Sequence, residues 1–170
     1  FFTTCGWMMW NWLVSGLATG ATLLLYDGSP LHPAPDILWR LAADEQATAF
    51  GTSPRYLTAL AKQGYAPARD PALGGLTALR TVLSTGAPLA PEGFDFVYAS
   101  VKHEVHLASI SGGTDIISCF IGGNPIAPHE RRDPGRADRG YWPRSHRHDV
   151  ARFSDWKCYS ALDARREDPG

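Results

Sequence analysis

Cysteine is scarce in this 170-residue chain, which limits its possible covalent cross-links. Only Cys5, Cys119 and Cys158 occur, and no Cys-x-x-Cys pair is present. Three scattered thiols exclude a disulfide framework. They fit a reducing compartment, so we expect a cytoplasmic protein.

An excess of charge of either sign is also missing. The formal net charge is −1 at pH 7. The overall balance therefore favours neither nucleic acid nor an anionic membrane surface as a partner. At 170 residues, the chain is long enough for one domain with a sizeable core.

The first 26 residues contain no charged side chain, a run that is long enough for a transmembrane helix. However, no Lys or Arg occurs before Arg40, so the basic flank that orients membrane spans is missing. We therefore predict no membrane span. We expect a buried helix near residues 7–18, a turn at Thr19-Gly20, and a strand over residues 21–26.

Between residues 36 and 110, predicted helices alternate with short apolar strands. Helices are expected over residues 36–46, over residues 53–63 with Ser53 as the N-cap and Pro54 in first position, and from Pro91 onward. Strands are expected over residues 48–51, 79–84 and 104–110. The alternation is typical of an α/β fold in which helices layer on a largely parallel sheet.

Two of the predicted strands end in short polar turns. Thr85-Gly86-Ala87-Pro88 follows one strand, and Ser111-Gly112-Gly113-Thr114-Asp115 follows the next. Ligands bind outside the carboxyl ends of the strands in parallel sheets, so we expect the two turns to lie side by side there.

The second turn has the chemistry of a phosphate site. Successive N–H groups of a glycine-rich turn form a concavity that suits an anion. The Thr114 hydroxyl adds a donor, and the Asp115 carboxylate is a hard oxygen ligand that suits Mg²⁺. The pattern indicates a nucleotide phosphate with its metal, but a plain turn with a solvated aspartate would have the same residues.

Three sequence blocks resemble the acyl-adenylate-forming enzymes, the AMP-dependent synthetases and ligases. In chain order they are FFTTCGWMMWNWLVSGLATGATLLLYDGSP, LSTGAPLAPEGFDFVY and LASISGGTDIISCFIGGNP. Within the family, the chain looks most like the acetoacetate–CoA ligases. The likeness extends over residues 1–127. It implies a helix–sheet–helix part of the large N-terminal domain of such an enzyme.

The resemblance also assigns nucleotide-binding roles. Thr114 and Asp115 match the catalytic pair that contacts the α-phosphate and magnesium, and most relatives have Glu at the position of Asp115. The implied nucleotide-binding residues are Gly86, Ala87 and Pro88 in the adenine-contacting turn, and Ser111, Gly112, Gly113 and Thr114 in the phosphate motif.

An acyl pocket follows from the same resemblance. Relatives that use acetate have a tryptophan at the position of Gly112, and its loss would make room for a longer acid. Trp7, Met8 and Met9 match the other wall of this pocket. Without the family, a cluster of aromatic and methionine side chains is more typical of a core.

The implied reaction joins acetoacetate to coenzyme A through an acyl-adenylate, with ATP, Mg²⁺ and coenzyme A as the required small molecules. Three family features are not found in the sequence: a phosphate loop with its lysine, a Tyr-Arg-x-Gly-Asp block, and a C-terminal domain with the adenylation lysine. We therefore expect an internal fragment that is inactive alone. Two alternatives are another short-chain acyl-CoA synthetase and a non-catalytic nucleotide-binding fragment.

Residues 128–170 differ from the rest of the chain in composition. They contain ten of the 16 basic residues and very few large aliphatic ones. Such a segment buries too little apolar surface to fold, so we predict a disordered or aberrant tail in which His146 and His148 hold no metal.

Residues 131–135 can be encoded by codons that, read one base further on, give Gly-Glu-Ile-Gln. The resemblance implies this sequence in the family after the third block. A translated wrong frame is therefore our explanation of the tail, and a genuine extension is the alternative.

Overall fold

The centre of the molecule is a three-stranded parallel sheet. The structure, a computed structural model, describes residues 1–115 and 118–123. The strands are β1 (Ala49–Thr52), β2 (Thr81–Ser84) and β3 (His106–Ser109), in the order β1-β2-β3. Their last residues are paired in register, so all three strands end at one edge. The predicted α/β fold with a parallel sheet is confirmed.

Helices connect these strands and precede them. They are α1 (Met8–Ser15), α2 (Ile37–Asp44), α3 (Pro54–Lys62) and α4 (Pro91–Phe96), and α4 continues into a π-helical turn, Val97–Val101. The Ser53 hydroxyl caps α3 by accepting a hydrogen bond from the Tyr56 amide at 3.4 Å. Gly64 ends this region with φ of 67°, a value that favours glycine. Both predicted ends of α3 are therefore confirmed.

The main core lies between one face of the sheet and helices α2 to α4. The rings of Trp39 and Phe50 stack with their centroids 4.2 Å apart, and Tyr56 lies 6.3 Å from Trp39. Val82, next to Phe50 in the register, is fully buried in the same cluster. The packing of α2 and α3 against β1 therefore holds the carboxyl ends of the strands in place.

The N-terminal segment corrects part of the prediction. A helix, α1, forms in the expected region but ends at Ser15, and a 3₁₀ turn at Gly16–Thr19 replaces its predicted end. The expected turn at Thr19-Gly20 is present, with Gly20 at φ of 78°. However, Met9 is the one buried residue of α1, and residues 21–26 form no strand. A strand needs a partner, and at the free edge of β1 the amide of Phe2 already donates to the Gly51 carbonyl at 2.8 Å. Residues 21–26 therefore form no hydrogen-bonded strand pair with β1.

No helix in the described part of the chain is long and apolar enough to cross a membrane. A short antiparallel hairpin follows the sheet and consists of β4 (Ser111–Gly113) and β5 (Ser118–Ile121). The predictions for residues 128–170, including His146, His148 and the frameshift, lie outside the described residues.

Candidate nucleotide site

The turn after β2 has the backbone that its sequence predicts. Gly86 has φ of 94°, in the left-handed region where a side chain is strained. Gly86, Ala87 and Pro88 are all exposed. The ring of Trp7 lies 3.6 Å from the position that a Cβ of Gly86 would take. The structure therefore brings a predicted acyl-pocket residue against the predicted adenine-contacting turn.

Two short hydrogen bonds join this turn to the segment after β3. The Thr85 hydroxyl donates to the Ile110 carbonyl at 2.7 Å. The Ile110 amide in turn donates to the Ser84 carbonyl at 2.7 Å. The two predicted motif segments therefore begin side by side at the carboxyl edge of the sheet, as we expected.

The glycines of the second motif are not in a turn, and that expectation is wrong. Gly112 and Gly113 lie in β4, opposite Cys119 and Ser118 of β5, with an irregular register between Ser111 and Gly112. Neither glycine has a positive φ. Since β5 folds back and pairs with them, these glycines lie on a strand of a hairpin and not in the predicted turn.

The turn begins instead at Thr114 and Asp115, directly after β4. Both residues are exposed, so their oxygens are open to a ligand. In the described ranges, no three His, Cys, Asp or Glu side chains come close enough to hold a metal ion together. Mg²⁺ commonly binds one or two carboxylates together with substrate phosphates. An exposed carboxylate such as that of Asp115 fits a shared site of this kind.

The predicted acyl-pocket wall is only partly exposed to a ligand. Met9 is buried, whereas Trp7 and Met8 are half-buried. Trp7 also makes an edge-to-face contact with Phe1, with ring centroids 5.8 Å apart. Of these three side chains, Trp7 is the one that lies within 4 Å of the Cβ position at Gly86.

A large cavity lies elsewhere, between the N-terminal segment and a surface formed by α2 and β1. Its volume is about 1010 Å³, and it is bordered by Phe1, Trp12, Leu25, Phe50 and Leu83 among others. None of the predicted site residues is among the described residues that line it. The cavity is therefore distinct from the candidate nucleotide site.

Sequence reasoning missed a row of hydroxyl residues under the two motifs. Thr52, Ser84 and Ser109 end the three parallel strands and are partners in the register. Thr85 follows directly and is buried. The signal was visible in the sequence, since each strand ends in a Ser or Thr, but the pairing that aligns them is a property of the sheet.

Comparisons with known proteins match most of the chain. The chain matches the family model described as AMP-binding enzyme over residues 1–140. An acetoacetyl-coenzyme A synthetase from Rhizobium meliloti (strain 1021) is 59% identical over 128 residues, which are 75% of this chain and 19% of that protein. Malonamoyl-CoA synthetase vrtB from Penicillium aethiopicum is 45% identical over 138 residues, 74% of this chain and 19% of its own length.

A solved structure, an acetoacetyl-CoA synthetase from Streptomyces lividans, superposes with a TM-score of 0.66 and 51% identity. The match covers 71% of this chain and 19% of that one. The chain therefore spans about a fifth of the length of the relatives it matches.

Proposed function

Because the chain belongs to the AMP-binding enzyme family, we propose that it is part of an acetoacetate–CoA ligase. The observation that carries the proposal is the pair of hydrogen bonds at Ile110, which hold the two nucleotide motifs together at the carboxyl edge of the sheet. That edge is where α/β proteins of this kind bind ligands. The similarity to acetoacetyl-CoA synthetases supports the substrate assignment.

The two motifs have different tasks in this proposal. Glycine at position 86 allows the left-handed backbone and has no side chain, so the adenine ring can approach Ala87 and Pro88. The Thr114 hydroxyl donates to an α-phosphate oxygen. Asp115 would hold Mg²⁺ against the same phosphate, where the ion would neutralise charge as diphosphate leaves.

The proposed reaction has two steps. A carboxylate oxygen of the acid forms a bond to the α-phosphorus of ATP, and the bond to diphosphate breaks. The thiolate of coenzyme A then forms a thioester with the acyl carbon, and AMP leaves with the bonding electrons. In both steps the residues of this chain contribute by positioning the nucleotide rather than by bonding to it. We assign the activity to a longer polypeptide of the relatives' kind, with the chain inactive alone.

A second candidate acid comes from one relative. The Penicillium protein is named for malonamoyl-CoA, whose acid ends in an amide where acetoacetate ends in a methyl ketone. Both acids need a pocket longer than acetate does. A glycine at position 112 suits either acid, so the two candidates differ in the polar end of the acid and not in the size of the pocket.

Substrate use by a longer enzyme that contains this chain tests the proposal. A suitable enzyme is a chimera in which residues 1–123 replace the matching segment of the Rhizobium relative. AMP release should be fastest with acetoacetate, compared with malonamate, butyrate and acetate. Gly112→Trp should move the preference towards acetate by about tenfold or more, because a filled pocket excludes the longer acid.

Three results would contradict the proposal in different ways. Faster AMP release with malonamate would favour the second candidate. An unchanged acid preference in Gly112→Trp would remove Gly112 from the acyl pocket. ATP binding without AMP release for any acid would favour a non-catalytic nucleotide-binding segment.

Four further predictions stay parts of the proposal. They are the need for Mg²⁺, the cytoplasmic compartment, the lack of a nucleic-acid partner and the boundary at residue 127.

A further inference from the structure

Thr85 makes a contact that no nucleotide motif assigned above accounts for. Its side chain is buried, and its hydroxyl donates to the Ile110 carbonyl at 2.7 Å. The two residues are 25 positions apart in the chain. Thr85 stands immediately before the turn that begins at Gly86, and Ile110 stands immediately before β4. The bond therefore joins the two candidate binding segments where each one starts.

Other bonds between these segments include those of the β2–β3 ladder, whose last register pair is Ser84 and Ser109. The Ile110 amide reaches the Ser84 carbonyl at 2.7 Å. The Leu89 amide reaches the Ser109 hydroxyl at 3.4 Å, a long contact. The bond from the Thr85 hydroxyl to the Ile110 carbonyl is as short as the bond from the Ile110 amide to Ser84. Because its donor is a side chain, a substitution at Thr85 can remove it.

Ser84 provides a contrast to Thr85. Its hydroxyl is also buried, at 0% exposure, yet within the described residues it has no hydrogen-bond partner. The Ser84 and Thr85 hydroxyls are therefore adjacent in the chain and both buried. Only the Thr85 hydroxyl donates a bond to the segment after β3.

We propose that Thr85 is a positioning residue that sets the distance between the adenine-contacting turn and the phosphate-contacting hairpin. This inference rests on the proposed function, since it requires that one ATP molecule touches both segments. A ligand held at two points binds tightly only if both points are correctly spaced. A ligand that touches the first turn alone does not depend on that spacing.

ATP and adenosine provide this distinction. ATP would contact both Gly86–Pro88 and Thr114-Asp115, whereas adenosine lacks the phosphates and would contact the first turn. Removing the Thr85 hydroxyl should therefore weaken ATP binding more than adenosine binding. A general loss of stability would weaken both ligands alike.

The experiment measures the dissociation constants of both ligands by calorimetry, in the chimera with residues 1–123. Thr85→Val keeps the shape of the side chain and removes the donor. It should raise the dissociation constant of ATP about tenfold, with adenosine changed less than twofold. Thr85→Ser keeps the hydroxyl and should restore ATP binding. Ser84→Ala, which removes a hydroxyl without a partner, should change neither ligand.

The inference is wrong if Thr85→Val leaves ATP binding within twofold of the parent, or weakens both ligands equally. It is also wrong if Thr85→Ser is as damaged as Thr85→Val. A parent that binds ATP and activates no acid would overturn the proposed function and still decide the role of Thr85. A parent that binds no ATP would overturn both.

Discussion

At the scale of single residues, the candidate chemistry depends on a carboxylate at the surface of the molecule. Asp115 is exposed just beyond the end of β4. Its value to the protein would therefore be its negative charge and not its packing. The resemblance implies glutamate here in most relatives. The shorter aspartate must bring its oxygens to the phosphate by a different path.

Asp115→Asn should abolish most adenylation without unfolding the protein. The substitution removes a metal-side charge, and loss of one such electrostatic group typically lowers kcat by about 10² or more. Diphosphate release in the chimera, measured across a magnesium titration, gives the result. Asp95→Asn is the matched control, since Asp95 is an exposed aspartate on α4. Equal rates for both variants would remove Asp115 from the site.

The sequence could predict some residues of the site but not others. Gly86 was predictable, because a Gly-Ala-Pro run after a strand demands a turn and glycine alone adopts φ of 94° without strain. Thr85 was not predictable. Its importance comes from the Ile110 carbonyl, 25 residues away, and nothing in the local sequence shows that this carbonyl will be within reach.

At the scale of secondary-structure elements, one lysine ties the end of α4 to the loop before β2. The Lys102 ammonium donates to the carbonyls of Leu76 at 2.8 Å, Thr77 at 3.2 Å and Leu79 at 2.7 Å. Leu76 ends a 3₁₀ segment, Pro71–Leu76, and Thr77 and Leu79 follow it. One ammonium group at the end of the α4 region therefore provides a hydrogen-bond donor to three carbonyls at and after the end of the 3₁₀ segment.

Lys102→Met should lower the free energy of unfolding of the chain by about 1.5–3 kcal/mol, the range for hydrogen bonds to a charged group. Methionine keeps much of the apolar length and removes all three donors. Thermal unfolding followed by circular dichroism measures the change. Lys62→Met is the control, because Lys62 is exposed at the end of α3. If both variants melt at the same temperature, the three bonds contribute nothing to stability.

Elements defined by local signals were predicted well, and elements defined by partners were not. The ends of α3 follow from Ser53, Pro54 and Gly64, each of which acts on the backbone next to it. The strand expected at residues 21–26 had apolar composition but no neighbour to pair with. A strand is stable only beside another strand, and composition does not say which edge is open.

At the scale of the whole molecule, several large apolar side chains of the N-terminal segment are exposed to solvent. The exposed fractions reach 58% for Leu17 and 61% for Leu25, and the other large exposed apolar residues are Trp12, Val14 and Leu24. All five lie within the stretch of 26 residues that has no charge. Exposed apolar side chains that lie close together in the chain promote association or dye binding.

The isolated chain should therefore bind the dye ANS and self-associate. Replacing Leu17 and Leu25 by lysine should reduce both effects, because charge opposes burial of the surrounding apolar surface. Fluorescence titration and sedimentation measure them. Ala61→Lys adds charge at an exposed position of α3 and serves as the control. Undiminished dye binding in the double variant would show that this surface is not the one that binds.

The sequence alone determined the α/β class, the places where helices and strands alternate, and the two segments that carry the candidate chemistry. These depend on periodicity and on turn residues, whose effects are local. The tertiary structure alone decided that Gly112 and Gly113 lie in a hairpin, that residues 21–26 stay unpaired, and that Thr85 joins the two motifs. Each of these depends on which distant segment lies alongside, because hydrogen bonds between strands and across turns form only where the packed core brings donor and acceptor together.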